Sequence, residues 1–229
     1  MKAAIFDLDG TLVDSVGAIA DIGNQLVGEL GLPALTVAEA RGYIGNGAAM
    51  FVKRALEARN FPVTDDALEP HVERFEALYA AAPGEANTPF AGAEAALRIL
   101  TAQGVAIGLC TNKPETPTLN LLDALGWCEL FGAVVAGDTL ATRKPDPAPL
   151  HHCARLLGAE VSDGGVVYVG DSEVDAATAQ AASSPFVLFT EGYRKTPVAD
   201  MGWQATFSDF AQLPQVLASL PRLRAMDAV

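Results

Sequence analysis

Nowhere in this chain does an apolar run approach the roughly 20 residues a helix needs to cross a bilayer. Yet half of the 229 residues are hydrophobic. That excludes a helical membrane span and points to a folded, not a disordered, protein. Cations are scarce: 15 Lys and Arg face 28 Asp and Glu, a formal net charge of -13. Such a field repels phosphate backbones, and no Lys/Arg run opposes it, so nucleic acid is not an expected partner. A small anionic substrate remains compatible if a local positive site receives it. Cysteines number only three, Cys110, Cys128 and Cys153, without CxxC or CxxxC spacing. The odd count predicts reduced thiols in a cytoplasmic setting, each a small buried hydrophobe. His71, His151 and His152 lack metal-ligand spacing and are expected at the surface. The N-terminus is acidic within ten residues and lacks a signal-peptide shape.

Short runs rich in branched residues recur along the chain: "AAIF" (3–6), "VAIGLC" (105–110), "AVVA" (133–136), "VVYV" (166–169) and "PFVLF" (185–189). These suit strands buried on both faces of a parallel sheet. Helical patterns lie between them at 93–103, 116–125 and 147–157, each stopped by a glycine: Gly104, Gly126 and Gly158. The alternation predicts an α/β fold, a Rossmann-like parallel sheet flanked by helices. One stretch, about 16–82, is helical throughout. Val16, Ile19, Ile22, Leu26 and Leu30 repeat at helical spacing, as do Leu68, Val72, Phe75 and Tyr79 after a Thr64-Asp65-Asp66 start. "PGEANTP" (83–89) then reads as a linker. The expected organisation is a core of residues 1–14 and 84–229 interrupted by a helical domain of residues 15–83.

Ligands of open α/β sheets bind beyond the carboxyl ends of the strands. The residues directly after each predicted strand are therefore the candidates for chemistry. After the first come Asp7, Asp9, Gly10 and Thr11. After the second come Thr111, Asn112 and Lys113. "RKPDP" with Arg143 and Lys144 comes after the third, and Asp171, Ser172, Glu173 and Asp175 after the fourth. Adjacent carboxylates resist joint ionisation. A hard divalent cation, Mg²⁺, offsets that repulsion between Asp7, Asp9 and Asp171. Lys144 and the Thr111 hydroxyl then suit a phosphoryl group, one by charge and one by a hydrogen bond. An aspartate that accepts a phosphoryl group is one covalent strategy such a site supports. Singly these pieces are weak. Their joint order, each after a separate strand, is not.

The stretches "DLDGTLVDS", "TNK", "RKPDP" and "GDSEVDAATAQAA" resemble the four motifs of the haloacid dehalogenase-like hydrolase superfamily. The resemblance spans essentially the whole chain and puts the helical stretch where that superfamily carries a helical cap. "CTNKP", "GDSEVDAATA" and "TEGYRKTPVA" (190–199) resemble its phosphoglycolate phosphatases. The resemblance implies a phosphatase acting on a small phosphorylated metabolite as a monomer or homodimer. It implies Asp7 as nucleophile and Asp9 as the acid that protonates the leaving alkoxide and then deprotonates water. Thr111 and Lys144 would bind the phosphoryl oxygens, with Gly10 and Asn112 beside them. Asp7, the Asp9 carbonyl and Asp171 would hold Mg²⁺. Asp175 would support them, orienting Lys144 or a metal-bound water.

In the cap, Gly45-Asn46-Gly47 is either a turn that brings backbone close to a short substrate or a plain helix-to-helix turn. Asn46 and Gly47 are the substrate-contacting candidates. Lys53 and Arg54 suit a substrate carboxylate, although a solvated helix face explains them more simply. Arg194 and Lys195 are expected exposed and inert. Ser183-Ser184 replaces a glycine usual in the family, which bears on stability, not activity. Competing activities are a broader sugar-phosphate phosphatase, a phosphosugar mutase or a dehalogenase, the last disfavoured because it needs no acid at Asp9. A phospho-acceptor signalling module also places Asp and Lys at strand ends, but needs neither the helical insert nor the second acid.

Overall fold

Successive residues of the first strand, β1 (Ala3–Phe6), point to opposite faces of a sheet, and all four are buried. Ala4 and Phe6 enter one apolar layer and Ala3 and Ile5 the other. A strand covered on both sides needs apolar residues at every position, which is why "AAIF" does not alternate. The computed structural model describes residues 1–62, 64–83 and 87–220.

β1 lies at the centre of a parallel sheet between β4 (Ala106–Cys110) and β6 (Val166–Gly170). Outside them run β5 (Ala133–Val135) on one side and β7 (Phe186–Phe189) then β8 (Ala205–Phe207) on the other, giving the order β5-β4-β1-β6-β7-β8. The chain winds outward from β1 to β4 and β5, then returns to β6 and continues the opposite way. β1 is thus the switch point, where a crevice opens beyond the strand ends. Helices α5 (Ala93–Ala102) and α9 (Leu213–Ser219) supply apolar residues to the layer of Phe6, and α7 (Ala148–Leu156) and α8 (Glu173–Ala181) to the layer of Ile5. Gly104, Gly126 and Gly158 take positive φ just past α5, α6 (Glu115–Ala124) and α7, as the C-terminal caps require.

Between β1 and the rest of the sheet stand α1 (Val16–Glu29), α2 (Val37–Tyr43), α3 (Ala48–Glu57) and α4 (Asp65–Ala81). They bury their own apolar cluster, with Ile19, Leu26, Phe51, Phe75 and Tyr79 at its centre. Tyr193, from the loop after β7, joins that cluster. Two short strands, β2 (Val13–Asp14) and β3 (Thr88–Pro89), pair antiparallel where the chain leaves and re-enters the sheet unit. No helix among the described residues is long and apolar enough to cross a membrane.

The pattern of apolar runs does not reveal β2, β3 or β8. Each has only two or three residues of mixed polarity, too few to show a period. The linker reading of 83–89 ends in β3, and its residues 84–86 lie outside the described residues. Cys110 and Cys153 are buried as expected, whereas Cys128 is exposed, and the three histidines are half-buried.

Ser183, past the end of α8, has φ 57°, the left-handed region where a Cβ is strained. Its side chain is exposed and gains no packing in return. Ser183→Gly should therefore raise the free energy of unfolding by about 0.5–1 kcal/mol, the relieved strain less the added chain entropy. A higher urea midpoint with unaltered turnover is the expected readout.

Candidate active site

Each strand that meets at the switch point is followed by a polar residue, Asp7, Thr111 or Asp171, and the loops turn these residues toward one another. Lys144 is buried, and its Nζ lies 2.9 Å from Asp7 Oδ1, 2.7 Å from Asp175 Oδ1 and 2.8 Å from the Tyr168 hydroxyl. Three donor hydrogens on an ammonium match those three oxygens. Asp175 heads α8 in a capping box with Ser172. Its Oδ2 accepts from the Ser172 hydroxyl at 2.6 Å, the Ser172 N–H at 3.0 Å and the Asp171 N–H at 3.2 Å. The helix cap and the lysine anchor are therefore one carboxylate.

Asp171 accepts the Thr11 hydroxyl on Oδ1 at 2.7 Å and the Tyr193 N–H on Oδ2 at 2.6 Å. Gly10 allows this approach: with φ +86°, a Cβ there would sit 2.6 Å from Asp171 Oδ2. Gly10 thus serves the packing of the acid cluster. The Tyr193 hydroxyl accepts from the Ser15 and Val16 N–H groups at 2.8 and 3.1 Å and donates to Asp14 at 2.6 Å. One loop residue thereby links Asp171 to the start of α1.

Carboxylate oxygens of Asp7, Asp171 and Asp175 lie within 4.8 Å of one another. Burial, then repulsion from Asp175, pushes Asp7 up to about 7 against the pull of Lys144. Burial and the charges of Asp175 and Asp7 push Asp171 well above the usual carboxylate range. Asp175 goes the other way: burial works to raise it, but Lys144, Ser172 and Tyr168 hold it low. Lys144 stays charged, since Asp175 and Asp7 outweigh its desolvation. One ammonium among three buried carboxylates leaves excess negative charge and an all-oxygen donor set, which fits a hard cation. The oxygens of Asp175 are already taken, so Asp7 and Asp171 are the carboxylates with capacity for one.

A cavity of about 50 Å³ lies between this cluster and the helices. Asp7, Asp9, Thr111, Asn112, Lys113 and Lys144 line its sheet side, and Gly45, Gly47, Phe51, Phe75 and Tyr79 its helical side. Asn112 Nδ2 donates to the Gly45 carbonyl at 3.1 Å and the Lys144 carbonyl at 3.0 Å, joining both sides. Gly47 approaches Arg143, and a Cβ there would be 2.8 Å from its guanidinium. Asn46 turns its side chain to Arg54 Nη2 at 3.0 Å. Arg54 also donates to the Tyr43 carbonyl at 3.1 Å; it is half-buried and does not line the cavity. Lys53 is half-buried and Lys195 exposed, while Arg194 donates to the Thr190 carbonyl.

Tyr79, Tyr168 and Tyr193 are site residues the sequence does not point to, and Thr11 and Lys113 stand there among the residues after the strands without an assigned role. Lys113 is buried, with Nζ 3.2 Å from Asp9 Oδ1, bonded to the Tyr79 hydroxyl and 4.2 Å from the Tyr79 ring centre. Burial lowers its pKa, while Asp9 works to raise it. Its place directly after Thr111-Asn112 was the available signal. Tyr79 and Tyr168 had none, because helical and strand periodicity explains them as core; Tyr193 lies in the loop segment 190–199.

Raising Asp7 from 3.8 to about 7 means that the folded state holds this proton more tightly than the unfolded state. The associated stability is present below the unfolded pKa and lost as pH rises through about 7. At about 1.4 kcal/mol per unit, the cost at alkaline pH is roughly 4 kcal/mol. Asp7→Asn should therefore melt above the parent protein at pH 8 in chelator, with a difference that shrinks toward pH 4. Thermal melts across that range check this.

The family model for haloacid dehalogenase-like hydrolases matches residues 1–183. A protein of Cereibacter sphaeroides (strain ATCC 17029) named phosphoglycolate phosphatase is 46% identical over 225 residues, covering 96% of this chain and 99% of that one. One of the same name from Rhodospirillum rubrum is 44% identical over 216 residues, covering 93% and 89%. The crystal structure of a "predicted phosphoglycolate phosphatase" from Haemophilus somnus 129pt superposes with a TM-score of 0.86 at 29% identity, covering 95% and 98%. With more than half its length matched by the family model and relatives similar nearly end to end, this chain belongs to the haloacid dehalogenase-like hydrolase family.

Proposed function

We propose that the protein is a Mg²⁺-dependent phosphomonoesterase that hydrolyses 2-phosphoglycolate to glycolate and phosphate through an aspartyl-phosphate on Asp7. The observation that carries this reading is the buried Lys144 ammonium shared by Asp7 and Asp175, beside Thr111, in a cavity of about 50 Å³. Relatives 44–46% identical bear the name phosphoglycolate phosphatase, which supports the substrate.

Asp7 attacks phosphorus, and the ester oxygen leaves with the proton of Asp9. Water then attacks the acyl-phosphate while Asp9 takes up its proton. Lys144 and Thr111 hold the phosphoryl oxygens during both transfers. Asp7, Asp171 and the Asp9 carbonyl hold Mg²⁺. When bound, that ion neutralises enough charge for one anion to approach another. Asp175 keeps Lys144 in place, with its own oxygens filled by Ser172 and Tyr168. Gly10 keeps Asp171 close.

Residues 15–83 act as a cap hinged at the β2–β3 pair, closing to exclude water and opening for release. Gly47 contributes backbone to the cavity wall, while Asn46 acts through Arg54. The runner-up reading is a sugar-phosphate phosphatase or mutase.

Asp7→Asn should lower kcat by about 10³-fold or more, as loss of a nucleophile does elsewhere. Phosphate release should stop in EDTA and return with Mg²⁺. A panel of small phosphate esters tests both, and 2-phosphoglycolate should show the highest kcat/KM. Multiple turnovers without isomerised sugar exclude the signalling and mutase readings. Full activity in the Asp7→Asn protein would refute the covalent route.

A further inference from the structure

Two cations, Lys144 and Lys113, are among the described residues that line the cavity. Lys144 already serves Asp7, Asp175 and Tyr168. From the helical side come Ile19, Ile44, Ala48, Phe51 and Phe75, none of which carries charge, and the Tyr79 hydroxyl. Of the arginines in the helical region close in sequence to the lining, Arg54 is engaged by Tyr43 and Asn46, Arg74 by Glu29, and Arg41 lies over the Tyr193 ring. An anionic group at the end of a substrate remote from phosphorus therefore has one ammonium to meet.

That ammonium is held in place. Two of its three N–H directions go to Asp9 and Tyr79, one from the sheet side and one from α4. Its backbone N–H donates to Thr111 Oγ1 at 3.2 Å, so both residues sit on one turn. The phosphoryl-binding hydroxyl and the second cation are two residues apart, which suits an ester with very few atoms between its two anions. Burying an ammonium is costly, and a packing role alone would be met by an apolar side chain.

We infer that Lys113 is a specificity-determining residue that binds the substrate carboxylate, so the enzyme selects phosphate monoesters with a carboxylate close to the ester over neutral esters of equal size. This deepens the proposed function and rests on its placement of the phosphoryl group at Asp7, Thr111 and Lys144. A neutral ester leaves the third N–H direction of Lys113 unmet, with Asp9 and Tyr79 filling the other two. Sites built around a polar contact reject analogues that lack it strongly.

The test compares 2-phosphoglycolate with 2-hydroxyethyl phosphate, using the full chain with Mg²⁺. The parent protein should prefer the carboxylated ester by about 100-fold or more in kcat/KM. K113M should reduce that preference to below about tenfold, mainly through a higher KM for 2-phosphoglycolate. K113R should keep part of it. If K113M slows both esters in proportion, or leaves their ratio unchanged, the inference is overturned. Calorimetric binding of phosphonoacetate against ethylphosphonate separates this from the hydrolytic reading. Loss of phosphonoacetate affinity in K113M, with ethylphosphonate binding kept, supports Lys113 even in a protein that cleaves neither ester. Equal effects on both ligands overturn it. Should K113M not fold, K113Q carries the same comparison.

Discussion

One buried ammonium placed among acids organises this molecule. Lys144 draws in Asp7 from the end of β1 and Asp175 from the head of α8, and without it their charges would drive those elements apart. Its geometry is not left to one contact. Asp175 is pinned by Ser172 and by the Asp171 N–H, and Tyr168 reaches the same centre from the middle of the sheet. Such a network holds only when every member is satisfied. The result is an unequal pair of acids: Asp175 is kept low by its donors, while Asp7 is left high and in need of a further positive partner.

The helical unit completes what the sheet begins. The sheet edge supplies charge and hydrogen-bonding groups, and the helices supply mostly apolar wall, with Tyr79 reaching across to Lys113. Two further ties cross the same boundary, Asn112 to the Gly45 carbonyl and Tyr193 to the first residues of α1. Because Tyr193 also donates its N–H to Asp171, the placement of the helices and of the acid cluster share a residue. Low dielectric inside the cavity strengthens each of these polar contacts.

Much of this was legible in the sequence because it is local. Buried parallel strands need unbroken apolar runs, so β1, β4, β5, β6 and β7 announce themselves; Asp7, Thr111 and Asp171 come directly after strand ends, and Lys144 stands in the loop after β5. The helical stretch shows its 3.6-residue period. The strands that escaped notice, β2, β3 and β8, are too short to have a period. Asn46 looked like a ligand contact from its position in a glycine turn, and only the fold directs its amide to Arg54.

The sequence by itself determined the strand ends, the order of the polar groups after them and the helical insertion. Those depend on side-chain period and on residues adjacent in the chain. The tertiary structure alone decided that Asp175 holds Lys144, that Tyr193 joins Asp171 to α1, and that Lys113 is buried between Asp9 and Tyr79. These contacts join residues 22 to 178 positions apart or more than one element. Charge and hydrogen bonding act over a few ångströms of space, and which distant residues come that close is set by how the layers pack.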